Sequence, residues 1–275
     1  MIERILHFAH NAVRVAWGGA RAASIVEHLF SRLSHESETR PCANLSIHET
    51  GDQLIVSEDG RELLRTASEG QAAECLLGQA VYHLVDHSQG GLVLHAAAVA
   101  LDTERALVMP GTSGAGKTTL TAWLVKHGHD YLTDEAVFVP LETTHVESLC
   151  RPLNLKVGSR PALLQLSPKP EGVLRFAEGD LVDPGALRSH TPRTEAELGL
   201  FLFPTFSRGQ PLAITPLSPA QATQALLSHA ANARSVPRHG LGEAARLARA
   251  VPAYTLSYGD YADLPELARW LSERS

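Results

Sequence analysis

The 275-residue chain predicts an α/β fold, built on a strand–loop–helix phosphate-binding unit with a small α+β segment before it. Three observations predict it. Gly111-Thr112-Ser113-Gly114-Ala115-Gly116-Lys117-Thr118 satisfies G-x-x-x-x-G-K-[ST] in full. The apolar run RALVMP leads directly into it, and the helix-forming run LTAWLVKH follows. Elsewhere short apolar runs bounded by Gly, Pro and Asp turns alternate with helix-period stretches.

Each element can be justified in order. Residues 12–34 carry apolar positions at helical spacing around Ile25, Val26, Leu29, Phe30 and Leu33. ANLSIHETGDQLIVSEDGRELLRTAS reads as short strands broken at Thr50-Gly51-Asp52 and Asp59-Gly60. Residues 70–88 form an amphipathic helix, and Gln89-Gly90-Gly91 breaks the chain. A domain boundary is expected there, with a small α+β segment over 1–90 and the phosphate-loop domain over 91–275. LVLHAAAVAL is a buried strand, turning at Asp102-Thr103-Glu104 into RALVMP. Gly128 is placed to end the helix after the loop. YLT is a short strand ending at Asp134, and AVFVP is another. Past residue 151 proline becomes frequent, and PLNLKVGS, LLQLSPKP, LFLFPTFSRG and LAITPL suggest strands and loops. Helical patterns return at 219–233 and 241–250. A last strand, AYTLSYG, precedes a C-terminal helix that Asp263 is placed to cap.

Composition narrows the function classes. A net charge of −6 argues against a nucleic-acid partner, since polyanions are held by concentrated positive charge. No run approaches the roughly 18 uninterrupted apolar residues of a membrane helix. The first twenty residues carry charges and histidines where a signal peptide would be unbroken and apolar, so a cytoplasmic location and no membrane partner are expected. Cys42, Cys75 and Cys150 form no CxxC pair and read as idle thiols. The 24 basic residues include only four lysines: Lys117, Lys126, Lys156 and Lys169. A chain that so prefers arginine keeps lysine where a compact ammonium suits the chemistry, as at phosphate.

The loop's chemistry follows from its residue types. Gly111, Gly114 and Gly116 permit positive φ and close backbone approach, so the N–H groups of Thr112, Ser113, Ala115, Lys117, Thr118 and Thr119 can converge on phosphate oxygens. The helix beginning there adds free N–H groups and the positive end of its dipole. Lys117 would reach the β- and γ-phosphates, and the Thr118 hydroxyl would coordinate Mg²⁺. Average residue frequencies yield this pattern by chance in about one chain in a hundred of this length. The bland alternative is a glycine-rich turn.

Asp134 stands 17 positions after Lys117, at the carboxyl end of the next expected strand. A carboxylate there can hold Mg²⁺ or accept a proton from an attacking hydroxyl. Glu135 is adjacent, and neighbours on extended backbone point to opposite faces, so one of the pair should face the phosphates. His95 interrupts a buried run and needs a partner, either as a satisfied core histidine or bonded to Asp134 or an acceptor hydroxyl. Lys156 is a candidate substrate contact, with a solvated loop as the alternative. Arg151 and Arg208 are candidates for neutralising transition-state charge. His83 and His87, spaced i, i+4, read as surface residues for want of a supporting ligand pattern. His127 and His129 flank the helix end, where imidazolium complements the dipole, so a structural role is expected.

His95, the loop, Gly128-His129 and Asp134-Glu135, at this spacing, resemble the HPr kinase/phosphorylase family, particularly its shorter HPr-kinase-related members. The match is close over about 45 residues. The resemblance implies the phosphoenolpyruvate-carboxykinase-like variant of the P-loop fold. It also implies Asp134 as catalytic base on a serine hydroxyl, His95 as its support, and Lys117 with Thr118 holding ATP and Mg²⁺. RPLNLKVGS stands where true HPr kinases carry R-G-L-G-x-x-N, a departure at which the resemblance stops implying HPr as substrate or phosphorolysis. The acceptor is then a serine-containing protein, peptide or small molecule, and a homo-oligomer is admitted by analogy. Two other readings stay open: a nucleotide-binding regulatory or assembly module, and an NTPase with water as acceptor. With no N/T-K-x-D motif to read guanine, ATP is favoured over GTP.

Overall fold

The computed structural model describes residues 2–33, 39–86, 88–189 and 193–274. The chain forms two compact units, one of Met1–Gln89 with Cys150–Ser189 and the other of Gly90–Leu149 with His190–Ser275. Residues 150–189, counted with the phosphate-loop domain in the sequence reading, therefore cluster with the first unit instead.

The first unit opens with a hairpin, β1 (Ile2–Phe8) and β2 (Asn11–Gly18). Ala9 and His10 both take left-handed backbone in its two-residue turn. Primed hairpin turns need that geometry, and Asn-Gly is their usual signal. Without that signal, helix was expected from residue 12, but α1 begins only at Ala20 (Ala20–Phe30). The strands β3 (Ala43–Thr50), β4 (Gln53–Glu58) and β5 (Arg61–Thr66) turn at the expected glycines and complete a sheet in the order β1-β2-β3-β4-β5. Only β2–β3 is parallel, with α1 as its crossover. Helix α2 (Glu69–Asp86) packs against β2 to β5. His83, expected at the surface, is half-buried and bonds Glu58 at 2.7 Å; His87 lies outside the described residues.

The second unit is built outward from β6 (Gly91–Ala100) and β7 (Arg105–Pro110), an antiparallel pair. Asp102 makes their turn, its Oδ1 accepting from the N–H groups of Glu104 and Arg105. The helix α3 (Lys117–Lys126) follows the loop and ends in a Schellman arrangement. Gly128 takes φ +118°, its N–H bonds Val125 O, and His129 N–H bonds Leu124 O at 3.1 Å. The strands β8 (Tyr131–Thr133) and β9 (Ala136–Pro140) both pair with β6, and β10 (His145–Ser148) pairs with β9.

The chain then returns to the first unit, where β11 (Leu153–Lys156), β12 (Val173–Arg175) and β13 (Gly179–Val182) make a small sheet in the order β11-β13-β12. LLQLSPKP, expected as strand or loop, lies partly in a short helix, α4 (Arg160–Leu166), with Pro161 in its first turn. A further short helix, α5 (Pro184–Leu187), closes the segment.

Back in the second unit, β14 (Glu195–Phe206) lies parallel to β7, and β16 (Ala253–Tyr258) lies parallel to β14. The edge strand β15 (Ala213–Pro216), α6 (Pro219–Ser228) and α7 (Leu241–Ala250) intervene. The sheet runs β10-β9-β6-β7-β14-β16-β15, and β10 also pairs with β14, so five strands close into a ring of pairings. Alanines 96, 98 and 100, Val108, Phe201 and Leu247 share the core beneath it. The final helix, α8 (Leu264–Ser272), follows a turn capped by Asp260, whose carboxylate accepts Ala262 N–H at 2.9 Å. Asp263, the expected cap, makes no side-chain bond at the helix start. The architecture is mixed α/β with several sheets. No helix among the described residues is long and apolar enough to cross a membrane.

Candidate functional site

Three parallel strands, β7, β14 and β16, end at the same side of the sheet, and residues 111–116 lie on that edge. Open α/β sheets bind ligands there. The loop leaves β7 at Pro110 and enters α3 at Lys117, with Gly114 and Gly116 both at φ +90°. Two aromatic residues brace it: Phe206 N–H donates to Ala115 O at 3.1 Å, and Tyr258 Oη to Gly116 O at 3.2 Å. Their rings meet edge to face at 5.3 Å, and Tyr261 stacks on Phe206 at 6.0 Å. Burial pushes the phenols of Tyr258 and Tyr261 up, so both stay protonated, and Tyr258 remains a donor at neutral pH.

The two loop glycines differ in surroundings. A Cβ on Gly114 meets nothing within 4 Å, whereas one on Gly116 falls against the Tyr258 hydroxyl and 2.8 Å from Phe206 Cβ. Gly114→Ala is expected to cost only backbone strain, about 1–3 kcal/mol. Gly116→Ala adds overpacking of a similar size, about 1–3 kcal/mol. Denaturant unfolding of the two variants measures the difference. Equal losses would mean that Phe206 and Tyr258 do not hold the loop.

The Lys117 side chain is buried, and its ammonium donates to Gly111 O at 2.5 Å and Thr112 O at 3.0 Å. It also lies 3.1 Å from His95 Nε2. An ammonium has no acceptor capacity, so Nε2 must accept and the proton sits on Nδ1. Nδ1 in turn faces Glu135, 3.1 Å from its carbonyl and 3.4 Å from its carboxylate. The result is a chain from Glu135 through His95 to Lys117. His95 was expected to bond Asp134 or an acceptor; it bonds Lys117 and Glu135 instead.

Register explains why. His95 pairs with Ala136 and Ala98 with Thr133, so Asp134 and Glu135 lie opposite Ala97 and Ala96 where β8 passes into β9. Glu135 turns toward His95. Asp134 goes the other way and is buried, with Tyr131 Oη donating to its Oδ1 at 3.2 Å. The two acids thus take different partners, in a bend between the strands and not on extended backbone. Thr133 Oγ1 pins the bend, donating to Leu149 O at 2.7 Å and accepting Glu135 N–H at 3.1 Å.

A cavity of about 450 Å³ opens beyond the end of β7. The loop residues 110–115 form one wall, and residues 203–206 of β14 with His229 form the others. Thr112, Ser113 and Gly114 are exposed toward solvent, Ala115 and Thr118 are half-buried, and Thr119 is buried. Arg208 is exposed just past β14, on the same carboxyl edge. Arg151 and Lys156 belong to the first unit, Arg151 buried against Pro152 O and Lys156 exposed at the end of β11. His127 stacks on Trp123 and bonds its carbonyl at the helix end, whereas the His129 side chain bonds Ala100 O of β6. Sequence reasoning missed Phe206, Tyr258 and His229, which reach the loop from 88 or more positions away and carry no motif.

Among the described residues no group of three or more His, Cys, Asp or Glu could hold a metal ion. Mg²⁺ does not require one, since it is commonly held by substrate phosphates with one or two protein oxygens. Thr118, Asp134 and Glu135 carry oxygen donors of that kind.

No protein-family model matches the chain, and no curated protein matches its sequence. Among solved structures it is similar to the Hpr(Ser) kinase/phosphatase from Coxiella burnetii, at 14% identity and a TM-score of 0.34, over 66% of this chain and 93% of that one. A likeness of that size decides neither fold nor chemistry. The family resemblance therefore rests on the residues that carry it.

Proposed function

We propose that the chain is an ATP- and Mg²⁺-dependent phosphotransferase, moving the γ-phosphoryl group to a serine-type hydroxyl of a protein, peptide or small molecule. One observation carries the reading. A complete phosphate-loop sequence sits between strand and helix at the carboxyl edge of parallel strands, with its lysine ammonium bent over the loop's own carbonyls. Backbone amides of 112–119 would cradle the phosphates, and Lys117 would exchange carbonyl partners for phosphate oxygens. The acceptor oxygen attacks the γ-phosphorus as the bond to the bridging oxygen breaks, and Asp134 takes the hydroxyl proton. The chain contributes position and charge, with no covalent intermediate. Mg²⁺ held by Thr118 and an acid of the 134–135 pair would offset charge on the phosphate oxygens.

Tyr131 fixes the carboxylate of Asp134, and the link from Glu135 through His95 orients Lys117. His95 is on this reading a positioning residue for the lysine. Incubating the full chain with γ-labelled ATP, Mg²⁺ and a panel of serine, serine peptides and cell extract tests the proposal. Label on a serine hydroxyl supports it; consumption of ATP without any acceptor points to hydrolysis. One observation favours a second reading, a nucleotide-binding regulatory module: Asp134 is only 2% exposed and already bonded. ATP binding that survives Asp134→Asn, with no labelled product from the unaltered chain, would select it.

A further inference from the structure

His229 is the residue at the loop that the reading above leaves unused. It ends α6, and its carbonyl accepts His95 N–H at 2.8 Å; Ala231 N–H then bonds Val93 O at 2.8 Å. With the bridge between Leu94 and Ala230, these bonds clamp the segment beside β6, past the point where β7 stops. His229 lines the same cavity as the loop, its ring 6.3 Å from the Phe203 ring. Among the described residues its ring nitrogens take no hydrogen-bond partner. Two basic groups face it, Lys117 from α3 and His95 from β6. Burial first, and then the Lys117 ammonium, with His95 adding to it only when protonated, hold the imidazole below the usual histidine range. A histidine so placed is neutral at neutral pH and stands where a polyanion would bring several negative charges.

We propose that His229 is a phosphate ligand: it binds the terminal oxygens of the polyphosphate chain as an imidazolium and takes up a proton to do so. The inference rests on the phosphate-loop reading. Phosphate oxygens set attraction against the Lys117 repulsion, so the bound-state pKa lies above the unbound one. The binding gain is then complete below the unbound pKa and is lost as pH rises through the bound one. Each unit of separation is about tenfold in affinity.

The test uses inorganic tripolyphosphate without magnesium, titrated calorimetrically into the full chain at about pH 6 and about pH 8, in buffers of different ionisation heat. The unaltered chain should take up a proton on binding in excess of the His229→Gln variant. That variant should bind about tenfold more weakly at the lower pH and nearly equally at the higher. His229→Lys, with a cation at both pH values, should retain tight binding at about pH 8. Identical proton uptake in the chain and His229→Gln, or affinity of His229→Lys that falls with pH as the unaltered chain's does, overturns the inference. If His229→Gln does not fold, the lysine variant alone decides it. Tripolyphosphate binding that is lost in Lys117→Ala yet indifferent to His229 sinks this inference and leaves the phosphate-loop reading standing. No binding by the unaltered chain sinks both.

Discussion

Lys117→Ala is expected to lower affinity for ATP by roughly 10²–10⁴-fold and to remove phosphoryl transfer. The lysine would meet two phosphate oxygens, and hydrogen bonds to charged groups contribute about 1.5–3 kcal/mol each. Their sum, about 3–6 kcal/mol, converts to that range of affinity. The same change removes a buried aliphatic stem and the donor to Gly111 O and Thr112 O, so a stability loss of about 1–2 kcal/mol should accompany it. Equilibrium binding of fluorescent ATP and denaturant unfolding read the two effects apart. Lys117→Arg is expected to restore stability only in part and binding hardly at all. The lysine nitrogen sits within 3.1 Å of two carbonyls and an imidazole, a space shaped for a compact ammonium and too narrow for a planar guanidinium. ATP affinity of Lys117→Ala within about threefold of the unaltered chain would remove the premise of phosphate binding.

How much of this was legible in the sequence depends on what carried each feature. The loop was readable because glycines at fixed offsets and one lysine encode a backbone shape locally. β6, β7, α3, β8 and β9 follow from apolar runs and turn residues between Gly91 and Pro140, and all are present as expected. The β1–β2 hairpin was not legible, because Ala9 and His10 adopt left-handed backbone without the residues that usually announce it. The grouping of residues 150–189 with the first unit was hidden too, since Pro-rich strands say nothing about which sheet they join. At the site, His95 and Glu135 were named but their bonding was not, because strand register decides it. Phe206, Tyr258 and His229 approach through backbone carbonyls and ring edges, contacts that leave no residue pattern to find.

Asp134→Asn is expected to lower label transfer from ATP to a serine acceptor by about 10²–10⁴-fold, the usual contribution of a positioned general base. The substitution keeps shape and removes charge. Asparagine can still accept the Tyr131 hydroxyl through its carbonyl oxygen, so the stability change should stay within about 1 kcal/mol. Nucleotide affinity without magnesium should be unchanged, because the loop amides and Lys117 supply that binding. Affinity with magnesium present should fall only if Asp134 is also the ion's ligand, which separates its two candidate roles in one titration. Tyr131→Phe provides the companion measurement. It removes the Oη donor that fixes the carboxylate at 3.2 Å, and should lower kcat while leaving KM for ATP in place. Full transfer activity in Asp134→Asn would shift the base elsewhere.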